Sequence, residues 1–205
     1  MIRIMSIDTT KIIHSVMDNL QLINAQDIPA IDLYMDQVTT FMEKHLNSSK
    51  RYETDKVLTK TMINNYAKNK LLPPPEKKKY SKEHVLMLVF IYYFKNIMSI
   101  NDIKTLLTPI SDKYFNKEKG LTLEDIYTEV YGLEQREIEK LGDELKGILE
   151  TSKTTFTDAP KRDQEFLQLF SLICTLSYDV YVKKQMIEGL IDAISGETGR
   201  SDKDK

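Results

Sequence analysis

The chain has 205 residues, of which 41% are hydrophobic and 29% are charged, and its formal net charge is −2. This composition fits one large or two small folded domains, and the scarcity of glycine and proline favours helix over sheet. The first 13 residues lack the apolar core of a signal peptide, and the longest apolar run, 85–94, is too short to span a bilayer, so we expect an all-α, cytoplasmic protein with no membrane partner.

Two amphipathic helices are predicted in the first 46 residues. Apolar residues recur at three- and four-residue steps over 8–22, where Asp8 or Thr9 can cap the helix, and again over 32–46. The stretch 24–29 breaks the pattern. The polar and basic stretch 47–54 has the composition of a loop.

A short helix over 59–69 precedes a strongly basic stretch. Its apolar side chains lie on one face and its polar side chains on the other, and the prolines at 73–75 end it because they lack N–H donors. Residues 56–79 contain seven lysines and one acid, Glu76, which gives a local charge of +6. Positive charge concentrated in an otherwise acidic chain indicates a surface that binds a polyanion.

Two further helices complete a compact set between residues 32 and 108. Ser81 is expected to cap a mostly buried helix over 81–96, in which His84 is a packed or capping residue. Ser99 and Asp102 form a capping box for the next helix, and we expect Pro109 to close it.

The second half of the chain is acidic and carries longer helices. Thr122 with Asp125 opens a helical pattern toward residue 149, in which two glycines weaken the case for one continuous helix. Residues 118–150 carry ten acids and four bases, a local charge of −6. A polar linker at 151–158 leads into the longest helix, which is predicted to run to about residue 194 and to bury Cys174 as a small hydrophobe.

The outer face of the 59–69 helix has the side chains that a DNA-binding helix needs. A helix-turn-helix protein places its second helix in the major groove, where amides suit adenine and lysines suit guanine or phosphate. The lysine run that follows can lie over the neighbouring phosphates. The predicted DNA-binding residues are Lys60, Thr61, Asn64, Asn65, Lys68, Lys77, Lys78 and Lys79. The alternative is a solvated surface without a ligand.

Two family resemblances rest on this region. The segments TMINNYAKNKLLPPP and KKKYSKEHVLMLVFIYYFKNIMSINDIKTLL resemble the DNA-binding half of MerR-type regulators, with Lys70 at the position of that family's glycine and a wing, 76–79, too short for a full hairpin. Over residues 30–110 the phrases TKTMINNY and KKKYSKEH are even more similar to an uncharacterised bacterial family, the domain of unknown function 1836. The resemblances imply a MerR-like, clipped-wing helix-turn-helix domain followed by a C-terminal helical region with a long helix.

The resemblances also imply a division of the chain. We expect an N-terminal helix and linker at 1–30, the helix-turn-helix domain at 31–110, a helical and possible dimerisation region at 111–195, and a disordered tail at 196–205. In MerR-type regulators a long helix after the DNA-binding half makes a homodimer. The alternative is a monomer that buries the same apolar stripe internally. Tyrosines at helical spacing in this half are compatible with an effector pocket, although such stripes are more often part of a core.

Catalysis has no support in the sequence. The three histidines are scattered over separate helices, and no glycine-rich phosphate loop or nucleophile motif is present. We expect no enzymatic activity, no metal and no cofactor. The predicted function is a transcriptional regulator that binds double-stranded DNA, and the alternative is a helical protein-interaction module that keeps the fold without binding DNA.

Overall fold

The computed structural model describes the backbone of residues 7–20 and 22–201, and their side chains except those of 139 and 197–201. These residues form two compact units. The core unit consists of residues 22–132 and 186–201, and the paired-helix unit consists of residues 7–20 and 133–185. The predicted domain boundaries after residues 30, 110 and 195 stay predictions.

The described chain is mostly helical, as the composition predicts. Its α-helices are α1 (Thr9–Asn19), α2 (Met35–Leu46), α3 (Lys60–Lys68), α4 (Lys82–Phe94), α5 (Ile100–Tyr114), α6 (Leu123–Lys153) and α7 (Lys161–Ser201). Two short strands, β1 (Leu33–Tyr34) and β2 (Lys79–Tyr80), pair antiparallel, with Leu33 opposite Tyr80 and Tyr34 opposite Lys79. The helix predicted over 32–46 therefore begins three residues later, because its first residues pair with β2.

Helix α4 is the centre of the core unit. Every side chain from His84 to Tyr92 is buried, which explains why its sequence is apolar on all sides. Buried side chains of α2, α3 and α5 join the same cluster, among them Val38, Ile63 and Ile103. The core therefore holds the short helices of the predicted helix-turn-helix domain in fixed positions around one buried helix.

The predicted helix starts are confirmed by their caps. The Asp8 carboxylate accepts a hydrogen bond from the Lys11 N–H at 2.9 Å, and the Ser99 hydroxyl accepts one from the Asp102 N–H at 3.1 Å. Thr122 and Asp125 make the same reciprocal box at the start of α6. Helix α6 then continues unbroken through both glycines that weaken the prediction.

Pro109 does not close α5, contrary to the prediction. The helix continues through it to Tyr114, although an interior proline removes one backbone hydrogen bond. The last turn packs Ile110 and Tyr114 against the core, and the Asn116 N–H donates to the Glu83 carboxylate at 2.6 Å. Burial and this anchor offset the lost bond.

Helix α7 differs from its prediction at two points. Cys174 is exposed rather than buried, because the face of the helix that carries it is not covered by the rest of the paired-helix unit. The helix also extends beyond residue 194 to Ser201, and the rest of the tail predicted to be disordered, 202–205, lies outside the described residues. In the described part of the chain, no helix has both the length and the apolar composition needed to cross a membrane.

Candidate nucleic-acid interface

Helix α3 is fixed to the core by one face and presents the other to solvent. The Thr59 hydroxyl caps it by accepting from the Met62 N–H at 3.1 Å, and Ile63 and Tyr66 are buried. The side chains predicted to contact DNA from this helix are all exposed; they are Lys60, Thr61, Asn64, Asn65 and Lys68. The helix has the polarity that a groove-binding helix requires.

Lys60 has a partner within the core unit. Its ammonium forms an ion pair with the Asp36 carboxylate at the start of α2, and both side chains are more than half exposed. An exposed ion pair contributes about 0–1 kcal/mol, so a DNA phosphate or base can replace Asp36 at little cost.

The exit of α3 is a Schellman motif built on a lysine. The Leu71 N–H donates to the Tyr66 carbonyl at 2.9 Å and the Lys70 N–H donates to the Ala67 carbonyl at 3.1 Å, the two bonds that define the motif. Lys70 adopts a φ of 58°, in the left-handed region where glycine is preferred. Leu71 and Leu72 are buried immediately after it, which ties the exit to the core.

The clipped wing is a tight turn with two lysines at its tip. Glu76 and Lys79 form a single antiparallel bridge, and the Lys79 N–H donates to the Glu76 carbonyl at 2.8 Å. Lys77 has a φ of 48° and Lys78 a φ of 66°, the left-handed pair that usually holds Asn-Gly in two-residue turns. Both side chains are exposed. The prediction that this stretch is too short for a full hairpin is confirmed, since its residues, all of them described, close on one bridge.

The base of the wing is tied to the rest of the core unit through β1. Lys79 pairs with Tyr34, and its ammonium lies 5.4 Å from the centroid of the Tyr34 ring. Lys79 is half-buried, so it is less accessible to a ligand than Lys77 and Lys78.

His84 joins the proline exit to the start of α4. Its Nδ1 accepts from the Ser81 N–H at 3.0 Å, and its Nε2 lies 3.4 Å from the Pro74 carbonyl oxygen. The ring packs edge-on against Tyr80 and Phe115. Burial lowers the pKa of His84, against a smaller raising effect of the nearby carbonyls and Asp32. The prediction of a packed, capping histidine is confirmed.

Sequence reasoning misses two contributors to this surface. Lys70 adds to the local charge and replaces a glycine of the MerR pattern, but the predicted site does not include it. Tyr34 is predicted to lie inside a helix, whereas it lies on β1 beneath Lys79. The sequence does carry a signal for Lys70, since a position occupied by glycine in a similar family is one that needs a positive φ.

The comparison of the sequence with known families gives one match. Residues 23–130, more than half of the chain, match the family described as Domain of unknown function (DUF1836). The chain belongs to this family. No curated protein and no solved structure matches it.

The family match covers α2 to α5, the wing and the start of α6, which is nearly all of the first segment of the core unit, and leaves out the segment 186–201. Its description names no activity. Among the described residues, no three histidine, cysteine, aspartate or glutamate side chains are grouped as a metal ion would require.

Proposed function

We propose that this DUF1836 protein is a transcriptional regulator that binds double-stranded DNA through a MerR-like helix-turn-helix. Helix α3 enters the major groove, with Asn64, Asn65 and Lys60 at the base edges. Lys68 and the wing lysines contact phosphates. The direct support is the exposed polar face of α3 together with the basic turn that follows it.

The observation that carries the proposal is the strain at three lysines. Lys70, Lys77 and Lys78 all have positive φ angles, which cost about 1–2 kcal/mol per residue for a side chain other than glycine. Glycine or Asn-Gly would remove that cost but would also remove the charge. Strained residues of this kind cluster at functional sites, and three cations together favour a polyanion as the ligand.

Salt dependence of binding tests the proposal. If four to six lysines contact phosphate, the logarithm of the affinity for duplex DNA should fall with the logarithm of salt concentration with a slope of about −4 to −5. Fluorescence anisotropy with a pool of random duplexes measures this slope. Failure to bind any duplex at low salt would overturn the proposal.

Two variants separate phosphate contacts from base contacts. Changing Lys77, Lys78 and Lys79 together to alanine should weaken binding to all sequences, whereas Asn64→Ala should change the preferred sequence. The matched control is the triple alanine change at Lys113, Lys117 and Lys119, which removes the same charge from exposed positions of the core unit. Equal losses from both triple variants would mean that net charge alone, and not the wing, drives binding.

A homodimer belongs to the proposal, because an apolar face of α7 has no cover within the described part of the paired-helix unit. Phe166, Phe170, Ile173, Val180 and Tyr181 are between 43% and 62% exposed. Phe166 to Val180 follow at steps of four, three and seven residues, and Tyr181 lies eight residues after Ile173, so all five fall along one side of the helix. Their exposed area is on the order of 500 Å² per copy. Two copies would bury about 1,000 Å², the size that a specific interface needs.

The same face favours the alternative, a helical module that binds another protein and no DNA. Light scattering of the purified chain at micromolar concentration distinguishes a second copy of this chain from a different protein as the partner of this face. A dimer mass supports the homodimer, and a monomer mass rejects it and leaves the face for a different partner.

A further inference from the structure

A second basic site in the core unit is lined by none of the predicted DNA-binding residues. The loop before α3 and the end of α4 line a half-open cavity of about 430 Å³. Four cations among the described residues line it: Lys50, Arg51, Lys56 and Lys95. We propose that this cavity binds the phosphate group of a small phosphorylated molecule.

The charges in the cavity do not cancel. Lys50 forms an ion pair with Glu43 at 2.6 Å, and Asp55 is the one carboxylate among the described residues that line the cavity. Four cations against these two carboxylates leave an excess of two positive charges. A phosphate monoester carries a charge of about −1.5 to −2 at pH 7, so it matches this excess.

Lys95 is the strongest indication that an anion belongs in the cavity. Its ammonium donates to the Val57 carbonyl oxygen at 2.8 Å and lies 4.8 Å from the centroid of the Tyr92 ring. It is half-buried, and no carboxylate within the described part of the chain forms an ion pair with it. A lysine removed from water without a counter-charge is destabilising, and burial lowers its pKa. A bound anion would supply the missing charge.

Neutral polar groups and an arginine complete the site. The Tyr92 hydroxyl is hydrogen-bonded to the Ser49 hydroxyl beside Lys95, which fixes the wall of the cavity. The Arg51 guanidinium lies 5.2 Å from the centroid of its neighbour, the Tyr52 ring, and an arginine fork can bind two phosphate oxygens at once. Concave sites of about 300–1,000 Å³ are typical of small molecules, whereas a DNA backbone is met by an open surface. This inference stands independently of the proposed DNA contact.

The test measures whether phosphate stabilises the full chain against thermal unfolding. Thermal unfolding is recorded with inorganic phosphate and with adenosine monophosphate, each against sodium chloride at equal ionic strength. Both probes should raise the melting temperature of the wild type beyond the chloride reference. Arg51→Gln and Lys95→Met should raise the dissociation constant of phosphate about 10- to 100-fold. Lys104→Gln, an exposed lysine on α5, is the matched control and should bind phosphate as the wild type does.

Three results would overturn the inference. The first is no protection beyond chloride, and the second is equal protection of the wild type and both cavity variants. The third is loss of duplex affinity in Arg51→Gln and Lys95→Met without competition by phosphate, which would make the cavity part of a DNA footprint. Arg51 is exposed, so Arg51→Gln remains informative even if Lys95→Met fails to fold. Phosphate binding by a protein that binds no duplex would leave this inference standing and remove only the DNA proposal.

Discussion

The core unit and the paired-helix unit bury their apolar side chains to very different extents. In the core unit nine consecutive residues of α4 are buried, and helices that precede and follow α4 in the chain pack around them. In the paired-helix unit the buried side chains among those described are Leu149, Ser152 and Leu172. The core unit has the closed interior of an independent domain, whereas the paired-helix unit leaves a row of aromatic and aliphatic side chains in water. This apolar surface is the face through which the proposed homodimer would form.

Side-chain hydrogen bonds tie the turn and one end of the paired-helix unit. The Gln168 amide donates to the Lys153 and Thr155 carbonyl oxygens, at 2.7 and 3.0 Å, and so ties the turn between α6 and α7. The Ile7 N–H donates to the Glu165 carboxylate at 3.3 Å. Bonds of this number and exposure stabilise a turn but do not replace a core, so this unit is where partner binding should affect stability most.

The largest expected effect is on the core unit. Leu88→Ala, at a fully buried position of α4, should lower the free energy of unfolding by about 2–5 kcal/mol. The matched control is Leu133→Ala in the paired-helix unit, where the side chain is half exposed and the loss should stay below about 1 kcal/mol. Urea unfolding followed by circular dichroism measures both. Similar losses would show that the two units are equally well packed.

The next effect concerns the exposed face of α7. Phe170→Asp should raise the dissociation constant of the homodimer at least about 100-fold, because each copy would bury an unpaired carboxylate. Tyr178→Asp is the control, since Tyr178 is the most exposed of the large hydrophobic side chains described on α7 and lies off the apolar row. Analytical ultracentrifugation over a range of concentrations gives both constants. A dimer that tolerates Phe170→Asp uses some other surface.

The wing allows a variant that changes stability and DNA affinity in opposite directions. Replacing Lys77 by Asn and Lys78 by Gly should raise the free energy of unfolding by about 1–2 kcal/mol, because this pair suits the left-handed turn. The same variant should bind duplex DNA more weakly, with a salt slope reduced by about 2. Denaturation and anisotropy on one preparation measure the two quantities. A variant that is more stable and binds DNA unchanged would remove the wing from the interface.

The smallest expected effect is the pH dependence of stability that His84 contributes. Because burial lowers its pKa in the folded state, the unfolded state binds the proton more readily. The contribution of His84 is therefore complete above the unfolded pKa, about 6.5, and is lost as the pH falls below it. His84→Gln keeps an acceptor for the Ser81 N–H and should reduce the fall in unfolding free energy between about pH 7.5 and 5.5. The control is His14→Gln, which removes an exposed imidazole of α1 in place of the buried one.

Local chemistry explains which parts of this structure the sequence could predict. Caps depend on residues three positions apart, so Thr59, Ser99 and Thr122 can be placed as helix starts from the sequence alone. The opposed faces of α3 follow from periodicity in the same way. Nothing in these patterns depends on residues that are distant in sequence.

The predictions fail where distant residues decide the outcome. Pro109 is typical of a helix end, but burial of the following turn and the bond from Asn116 to Glu83 carry α5 past it. Cys174 lies in an apolar run that predicts burial, although the exposed row on α7 shows that an apolar side chain need not face the interior of its own chain. The basic cavity is unpredictable for the same reason, since Lys95 is 38 residues from its hydrogen-bond partner Val57.

One buried hydrogen bond joins the two ends of the segment that matches the family. The Tyr127 hydroxyl donates to the Ile23 carbonyl oxygen at 2.5 Å, so the first and last parts of the matched segment meet inside the core unit. A fragment that stops before residue 127 would lack Tyr127 and would expose part of the core that this side chain covers. Conversely, a domain whose two ends lie side by side can be inserted into a surface loop of a host protein, or permuted by joining those ends, without stretching its chain.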